Sequence, residues 1–370
     1  LGDVYKRQIQ IIRKSMFKLV DKLIGIITLV AMIGLAGSYT ARYIDPNTFI
    51  FPSLLGLAYP YLLIANVILL LYWIARWKKM AFIELLVLAI GIPVFRTYYG
   101  THKEKNVTDS YDLQILSYNV RYFDRYGWSK HKNTSEKLLD YLNHFPGDII
   151  CLQEFPEKSA SINPQAIIRE LSSYPYHRIK KNMAIFSRSP IITCKEITFD
   201  KKYTSSCLYC DIVKSGDTIR IYNIHLESYK LGQKERKFVK DISEGVGNNL
   251  SQGVKNLTSR ITEANKSRAK QARQIKTVLQ HSPYPFIVCG DFNDTPLSYT
   301  YQTIEKGLQD SFIEKGRGLG NTYIGEFPSF RIDYILHSPH YQTISYFRET
   351  VTLSDHYPIQ SKLKKRNRKN

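Results

Sequence analysis

The sequence predicts an α/β domain preceded by a helical, membrane-spanning region. Two observations predict it. Apolar residues crowd into the first hundred of the 370 positions, and charged residues dominate the rest. From Leu113 onward, short apolar, β-branched runs alternate with amphipathic or polar stretches, the pattern of buried strands separated by helices. A chain of this length also fits two units better than one.

The elements follow in order. Residues 1–8 are expected to lie outside the native coding sequence, with translation starting at or before Met16, so the first fifteen positions carry no structural weight. Three apolar stretches come next, at about residues 23–39, 51–75 and 80–95. A membrane span needs roughly 20 mostly apolar residues, about 17 to 25. The second stretch is uncharged and meets this easily, and the first is adequate. The third contains Glu84 and Pro93 and is marginal, with a surface or re-entrant helix as its rival reading. A secretory signal fits the first stretch poorly, because two further apolar stretches follow it directly.

Residues 1–96 are therefore expected to form a membrane anchor of about three transmembrane helices. Arg13, Lys14, Lys18 and Lys22 precede the first stretch, and Arg76, Lys78 and Lys79 separate the second from the third. Positive loops stay inside, so three spans place the rest of the chain outside the cytoplasm, at an inner or plasma membrane.

Residues 97–111 read as a polar linker. Strands are expected in LQILSYN, DIICLQEF, MAIFSR, CLYCDIV, TIRIYNIHL, PFIVCGDFN and RIDYILH. Helices are expected near residues 134–145, 164–173 and 255–281; in the last, Ala269, Ala272, Ile275 and Leu279 share one face. Residues 228–256 show no clean period and read as a loop or insertion. No internal repeat is visible.

The formal net charge is +20. The first hundred residues carry 11 basic and 4 acidic side chains, and the tail over residues 361–370 carries six basic and no acidic ones. A basic surface attracts polyanions, whether nucleic acid or anionic lipid. All five cysteines lie beyond position 150. Cys151 and Cys289 sit in apolar runs as small core residues. Cys207 and Cys210 form a lone C-x-x-C without the second ligand pair that a zinc knuckle needs. A disulfide among Cys194, Cys207 and Cys210 stays open, because sequence supplies no geometry.

Polar residues recur at the ends of the apolar runs: Asn119, Glu154, His225, Asp291 with Asn293, and Asp355 with His356. Strand ends are where a site is assembled from distant sequence. Taken together, SYN, QE, NIH, GDFN, RIDYI and SDH, in this order and spacing, resemble the endonuclease/exonuclease/phosphatase superfamily over residues 112–363, with residues 364–370 left as a basic tail. GDFN and SDH are its most specific motifs, and NMAIFSRSPI resembles the family's strand–turn element. Nothing in the first hundred residues matches it.

The resemblance, together with the alternation of runs, implies a four-layer α/β sandwich: two packed mixed β-sheets flanked by helices. It also implies a magnesium-dependent phosphoester hydrolase, manganese being an alternative metal. Magnesium prefers carboxylate and amide oxygens, and the resemblance assigns it to Glu154, with Asn119 and Asp355 beside it. His356 is the expected general base, Asp333 of RIDYI its carboxylate partner, and Asp291 an alternative base or water-orienting group. Asn293 and His225 are expected to donate hydrogen bonds to phosphate oxygens.

Fold-level resemblance does not choose the substrate. A phosphodiester is expected, with nucleic acid ahead of phospholipid, because residues 228–273 are rich in Lys, Arg, Asn and Gln. A sphingomyelinase-like or inositol-phosphate activity, or a non-catalytic binding module on the same scaffold, are the alternatives.

Overall fold

The structure is a computed structural model that describes residues 2–102, 110–125, 127, 129, 131–156, 163–199, 205–243, 250–325 and 329–366. The N-terminal unit contains α1 (Gly2–Tyr39), α2 (Phe51–Leu57), α3 (Tyr59–Ala75), α4 (Met80–Ile90) and α5 (Ile92–Phe95). Within α1, Tyr5–Tyr39 is long and apolar enough to cross a bilayer. The second apolar stretch is not one helix: α2 and α3 meet at 70° around Ala58. Pro60, in the first turn of α3, has no N–H to bond back to the preceding turn and would clash with its carbonyl. The third stretch stops as a helix after 11 residues, about 16 Å, at Gly91 and Pro93. Among the described residues, one helix is long and apolar enough to cross a bilayer, or two if the bent pair is a single span, and α4 is a shorter apolar helix.

The remainder holds β1 (Tyr99–Thr101), β2 (Leu113–Asn119), α6 (Arg121–Asp124), α7 (Thr134–Asn143), β3 (Ile149–Gln153), α8 (Pro164–Glu170), β4 (Tyr176–Lys180), β5 (Met183–Ser187), β6 (Ile191–Ile197), β7 (Ser206–Lys214) and β8 (Asp217–His225). It continues with α9 (Gln233–Ser243), α10 (Leu250–Gln280), β9 (Phe286–Asp291), α11 (Tyr299–Glu305), β10 (Gln309–Asp310), α12 (Ser311–Lys315), β11 (Arg317–Leu319), β12 (Asp333–His337), β13 (Tyr341–Arg348) and β14 (Ile359–Lys365).

Two six-stranded mixed sheets have the orders β10-β12-β9-β8-β7-β6 and β13-β14-β2-β3-β5-β4. Side chains alternate along a strand, and the alternation sorts three cores. Ile115, Ile149, Cys151, Ile221, Cys289 and Ile335 fill the space between the sheets. Leu116, Leu152 and Phe186 face outward onto Leu138 and Ile167 of α7 and α8. Tyr222, Ile224 and Val288 face outward onto Ala272 and Ile275 of α10. The result is helices, sheet, sheet, helices.

Two expectations change, and the disulfide pairing left open by the sequence is resolved. The segment read as a loop over residues 228–256 contains α9 and the start of α10. The sparse apolar residues Phe238, Val239 and Ile242 fall on one helical face, and the polar remainder is mostly good helix formers. The polar linker is in part a strand, since β1 pairs with β11; its residues 103–109 lie outside the described residues, as do residues 367–370 of the basic tail. Cys194 and Cys210, register partners on β6 and β7, form the disulfide. Cys207 lies in the outer core, because positions three apart on a strand face opposite sides.

A buried amide pair crosses the apolar layer between the sheets. Gln153 of β3 donates through Nε2 to Asn223 Oδ1 of β8 at 2.7 Å, and Asn223 Nδ2 donates to the carbonyls of Leu152 and Ala184, each at 2.9 Å. Both side chains are fully buried. Asn223→Leu keeps the volume but removes the shortest acceptor of the Gln153 amide, leaving Ser117 Oγ at 3.2 Å and the Cys151 carbonyl at 3.4 Å. It should lower unfolding free energy by about 2–4 kcal/mol, read by chemical denaturation of the purified chain; an unchanged midpoint would mean that the contact does not hold the sheets.

Candidate active site

The alternation that builds the inter-sheet core also builds the site. Residues 113, 115, 117 and 119 of β2 point between the sheets, as do 219, 221, 223 and 225 of β8 and 287, 289 and 291 of β9. Where the apolar residues run out, Asn119, His225 and Asp291 continue the same faces. Asp333 opens β12 directly opposite Asp291 in the antiparallel register. Glu154 follows β3 with φ 51, and Asn293 follows β9 with φ 52; both backbones are left-handed, a strained state that turns the side chains back toward the strand ends. Asp355 and His356 lie in the turn before β14. The glycine of GDFN has a steric cause: Gly290 has φ 131, and a Cβ there would lie 2.0 Å from the Ile224 carbonyl oxygen on β8.

Asp291 is the hub. Its Oδ1 accepts the Asn293 backbone N–H at 2.7 Å, and its Oδ2 accepts from Asn119 Nδ2 at 3.1 Å and Asn293 Nδ2 at 3.2 Å. The Nε2 atoms of His225 and His356 each lie 3.8 Å from the same Oδ2. His356 Nδ1 is 2.9 Å from Asp333 Oδ2, so the ring donates there and turns Nε2 toward Asp291. Thr322 holds Asp333 in turn, its Oγ1 accepting the backbone N–H groups of Ile332 and Asp333 at 3.1 Å each. Glu154 Oε1 lies 3.5 Å from Asn119 Nδ2 and 3.7 Å from His225 Nε2.

All eight residues named from the sequence are thus at one place, in or beside a cavity of about 320 Å³ lined by Glu154, Asp291, Asn293, Asp355 and His356 among others. One expectation shifts. Asn293 commits both amide hydrogens, to the Leu226 carbonyl at 3.0 Å and to Asp291, so it orients Asp291 rather than offering a donor to a ligand. Among the described residues, His225 Nε2 is buried without a hydrogen-bond partner.

The electrostatics are those of excess negative charge. Burial, then the Asp355 charge, raises Glu154 above the usual carboxylate range. Burial, with Asp333 adding to it, pushes Asp291 up to about 6. Burial lowers His225. Burial would lower His356 as well, but the charges of Asp333 and Asp291 and the Asp333 hydrogen bond override it and raise the ring to about 10.

A divalent cation suits this imbalance, and the donors are hard oxygens. Two groupings offer themselves. Asp291, Asp333 and His356 present ligand atoms within 4.8 Å of one another, but Asp333 and His356 are already bonded to each other. Among the described residues the Glu154 carboxylate has no hydrogen-bond donor closer than 3.5 Å, and Asn119 Oδ1, which accepts the Arg121 N–H at 3.1 Å, keeps a second lone pair. The Glu154 side therefore fits the cation better.

Arg121 was not singled out from the sequence. It opens a left-handed turn, with φ between 42 and 57 from Arg121 to Asp124, and pairs with Asp355 at 3.0 Å. Its position directly after SYNV was the available signal. Tyr323, with its ring 5.3 Å from that of His356, and Val239 of α9, which lines the cavity, carried none.

The family model described as Endonuclease/Exonuclease/phosphatase family matches residues 116–356. A domain of unknown function, DUF8431, matches residues 21–98. A comparison with curated proteins returns no match. Among solved structures, ANGEL2, a 2',3'-cyclic phosphatase in complex with adenosine-2',3'-vanadate, is similar at 16% identity and TM-score 0.50, covering 71% of this chain and 99% of that one. D. rerio TDP2 complexed with a single-strand DNA product matches at 19% identity and TM-score 0.47, covering 69% and 99%. An endonuclease/exonuclease/phosphatase family protein from Leptotrichia buccalis matches at 17% and 0.46, covering 68% and 99%. These likenesses concern the fold alone.

In metal-free protein the His356 ring should stay protonated up to about pH 10, and Asp333→Asn should lower that midpoint by removing a charge and a charged acceptor. Histidine C–H resonances followed against pH measure it. A midpoint near the ordinary value of about 6.5 in both proteins would show that the pair does not form.

Proposed function

We propose that this chain, which belongs to the Endonuclease/Exonuclease/phosphatase family over residues 116–356, is a divalent-metal-dependent phosphodiesterase held at a membrane surface, with nucleic acid as its leading substrate class. The observation that carries this reading is the Asp333–His356 pair at 2.9 Å, set beside the loosely bonded carboxylate of Glu154 in one cavity. A phosphodiester is anionic and repels hydroxide. Bound magnesium or manganese, held by Glu154 with Asn119 and Asp355, would supply Lewis acidity at the phosphate oxygens.

The chain's own groups do the rest. Asp333 orients His356 through Nδ1, and once a bound cation offsets the carboxylate charge that keeps the metal-free ring protonated, Nε2 is free to take a proton from water. Asp291, 3.8 Å from Nε2, orients that water. His225 Nε2 donates to a phosphate oxygen as charge builds in the transition state. Lys234, Lys237 and Lys240 are exposed on α9, the helix whose Val239 lines the cavity, which suits a polyanionic backbone.

A specific observation favours phospholipid as a second reading. Ile242 of α9 and Leu250 and Val254 of α10 are about half exposed. Further along, α10 rests on the N-terminal unit, where Asn265 Nδ2 donates to Ser53 Oγ at 3.1 Å.

Glu154→Ala should weaken metal dependence and cut turnover of a generic aryl phosphodiester. His356→Ala should lower turnover by roughly 100- to 10,000-fold with less effect on metal affinity. Near-wild-type rates in either would mean the roles are misassigned. Run at matched magnesium, plasmid nicking that falls steeply with salt supports nucleic acid, and release of lipid head groups without nicking at low salt reverses the ranking.

The membrane reading rests on exposure. Only 17% of the most apolar window of α1 is buried, and Ile26, Ile33, Ile68, Leu71 and Leu86 are more than half exposed, unlike residues of a soluble core helix. Asp21 pairs with Arg76 and Lys78 at one end of the unit, while the α/β domain docks at the other. A bilayer would therefore separate the basic end from the site, and the Cys194–Cys210 disulfide suits an oxidising compartment. A reporter fused after Asn370 should function outside the cytoplasm; one that works only inside overturns this topology.

A further inference from the structure

The Asp333–His356 pair is spaced by a loop that neither residue belongs to. Thr322 is fully buried and lies between them. Its Oγ1 accepts the N–H groups of Ile332 and Asp333 at 3.1 Å each, its carbonyl accepts the Tyr357 N–H at 2.7 Å, and its own N–H goes to the Phe330 carbonyl at 2.9 Å. Two residues on, the Ile324 N–H reaches the Asp355 carbonyl at 2.8 Å. Residues 322–324 are therefore a spacer, hydrogen-bonded to the Asp333 strand on one side and to the turn 355–357 on the other.

The upstream end of this spacer is tied to the segment that leaves the helical unit. β1 pairs with β11 through Tyr99–Leu319, Gly100–Gly318 and Thr101–Arg317. The Gly320 N–H donates to the Tyr98 carbonyl at 3.2 Å. Arg331, two residues before Asp333 and almost fully buried, donates to Asp310 Oδ2 at 2.7 Å and to the Thr97 carbonyl at 2.9 Å. Residues 97–101 thus act as a strap across both ends of the loop 317–331.

We propose that Thr322 is a positioning residue for the Asp333–His356 pair and that the strap over residues 97–101 holds it in register, so that the helical unit is part of the catalytic framework. The proposal rests on the phosphodiesterase reading above. Its physical basis is the steep dependence of proton transfer on geometry: a displacement of about 1 Å costs on the order of 100-fold in rate.

The test uses the full chain in detergent with magnesium and bis(p-nitrophenyl) phosphate. Thr322→Val keeps the shape but removes the acceptor, and Thr322→Ser keeps the acceptor. Gly100→Val places a Cβ 2.2 Å from the Gly316 carbonyl oxygen and drives the strap off β11. Thr322→Val and Gly100→Val should each lower kcat by about 10- to 100-fold with KM within about twofold and metal affinity unchanged, while Thr322→Ser returns kcat to near wild type. If Gly100→Val does not fold, Arg331→Lys takes its place, because it keeps a charge beside Asp310 without the fork that reaches Thr97.

Wild-type kcat in Thr322→Val, no rescue by Thr322→Ser, or wild-type kcat in the strap variant that folds would each overturn the proposal. A wild-type chain without diesterase activity would instead remove the reading on which it rests.

Discussion

The site depends on how the two sheets meet. Between them lies an apolar layer, and at its upper edge the buried amides of Gln153 and Asn223 bond to each other and to the Leu152 and Ala184 carbonyls. An apolar interface tolerates sliding, whereas a pair of buried amides does not, since any shift leaves desolvated donors unpaired. Gln153 immediately precedes Glu154, and Asn223 lies two residues before His225 on the same face. The contact that sets the stagger of the sheets therefore also brings Glu154 Oε1 to 3.7 Å from His225 Nε2. Fold and site share one constraint.

That constraint gathers Glu154, Asp291, Asp333 and Asp355 around one cavity, which would be repulsive without compensation. Arg121 is drawn onto Asp355, the ring of His356 is held strongly basic, and Asn119 and Asn293 direct amide hydrogens at Asp291. Glu154 is the least compensated of the four. A group raised by burial and a neighbouring charge is where a cation gains most, because binding relieves the penalty that folding imposed. The left-handed backbones at Glu154, Asn293 and Arg121 fit the same account, as strain kept where the fold holds a side chain in place.

Much of this was legible in the sequence because strands report themselves in two ways. Runs such as LQILSYN and PFIVCGDFN show their burial by composition and their ends by a polar residue on the inward parity. The resemblance carried by SYN, QE, NIH, GDFN, RIDYI and SDH then gathered Asn119, Glu154, His225, Asp291, Asn293, Asp333, Asp355 and His356 into one expected site before any coordinates. What was not legible depends on contacts between distant segments. Tyr323 and Thr322 sit in NTYIG, which has neither a strand pattern nor an acidic, basic or histidine side chain. α9 has only three apolar residues, too few to reveal a period. The choice of Cys194 over Cys207 as the partner of Cys210 follows from strand register, which composition does not carry. The break at Ala58 had a visible cause in Pro60, but a continuous uncharged run outweighs a single proline when hydropathy alone is read.

The linker is the most instructive case. A polar stretch after apolar helices reads as a flexible tether, and a tether would let the domain sample any orientation. The structure removes that freedom at several points. β1 joins β11, Thr97 accepts from Arg331, Asn265 bonds Ser53, Arg273 pairs with Asp45, and Leu297 packs against Tyr59 and Tyr98. Five attachments from separate parts of the fold define a docked body. With the helices surrounded by lipid, the cavity would stand at a fixed height and tilt above the bilayer, so substrates would be selected by approach as well as by chemistry. A long polyanion must pass the lysine row of α9, and a lipid must rise past the exposed apolar residues of α9 and α10. Both routes border the same helices, so on the proposed reading α9 and α10, rather than the carboxylates beneath them, would decide between the two substrates.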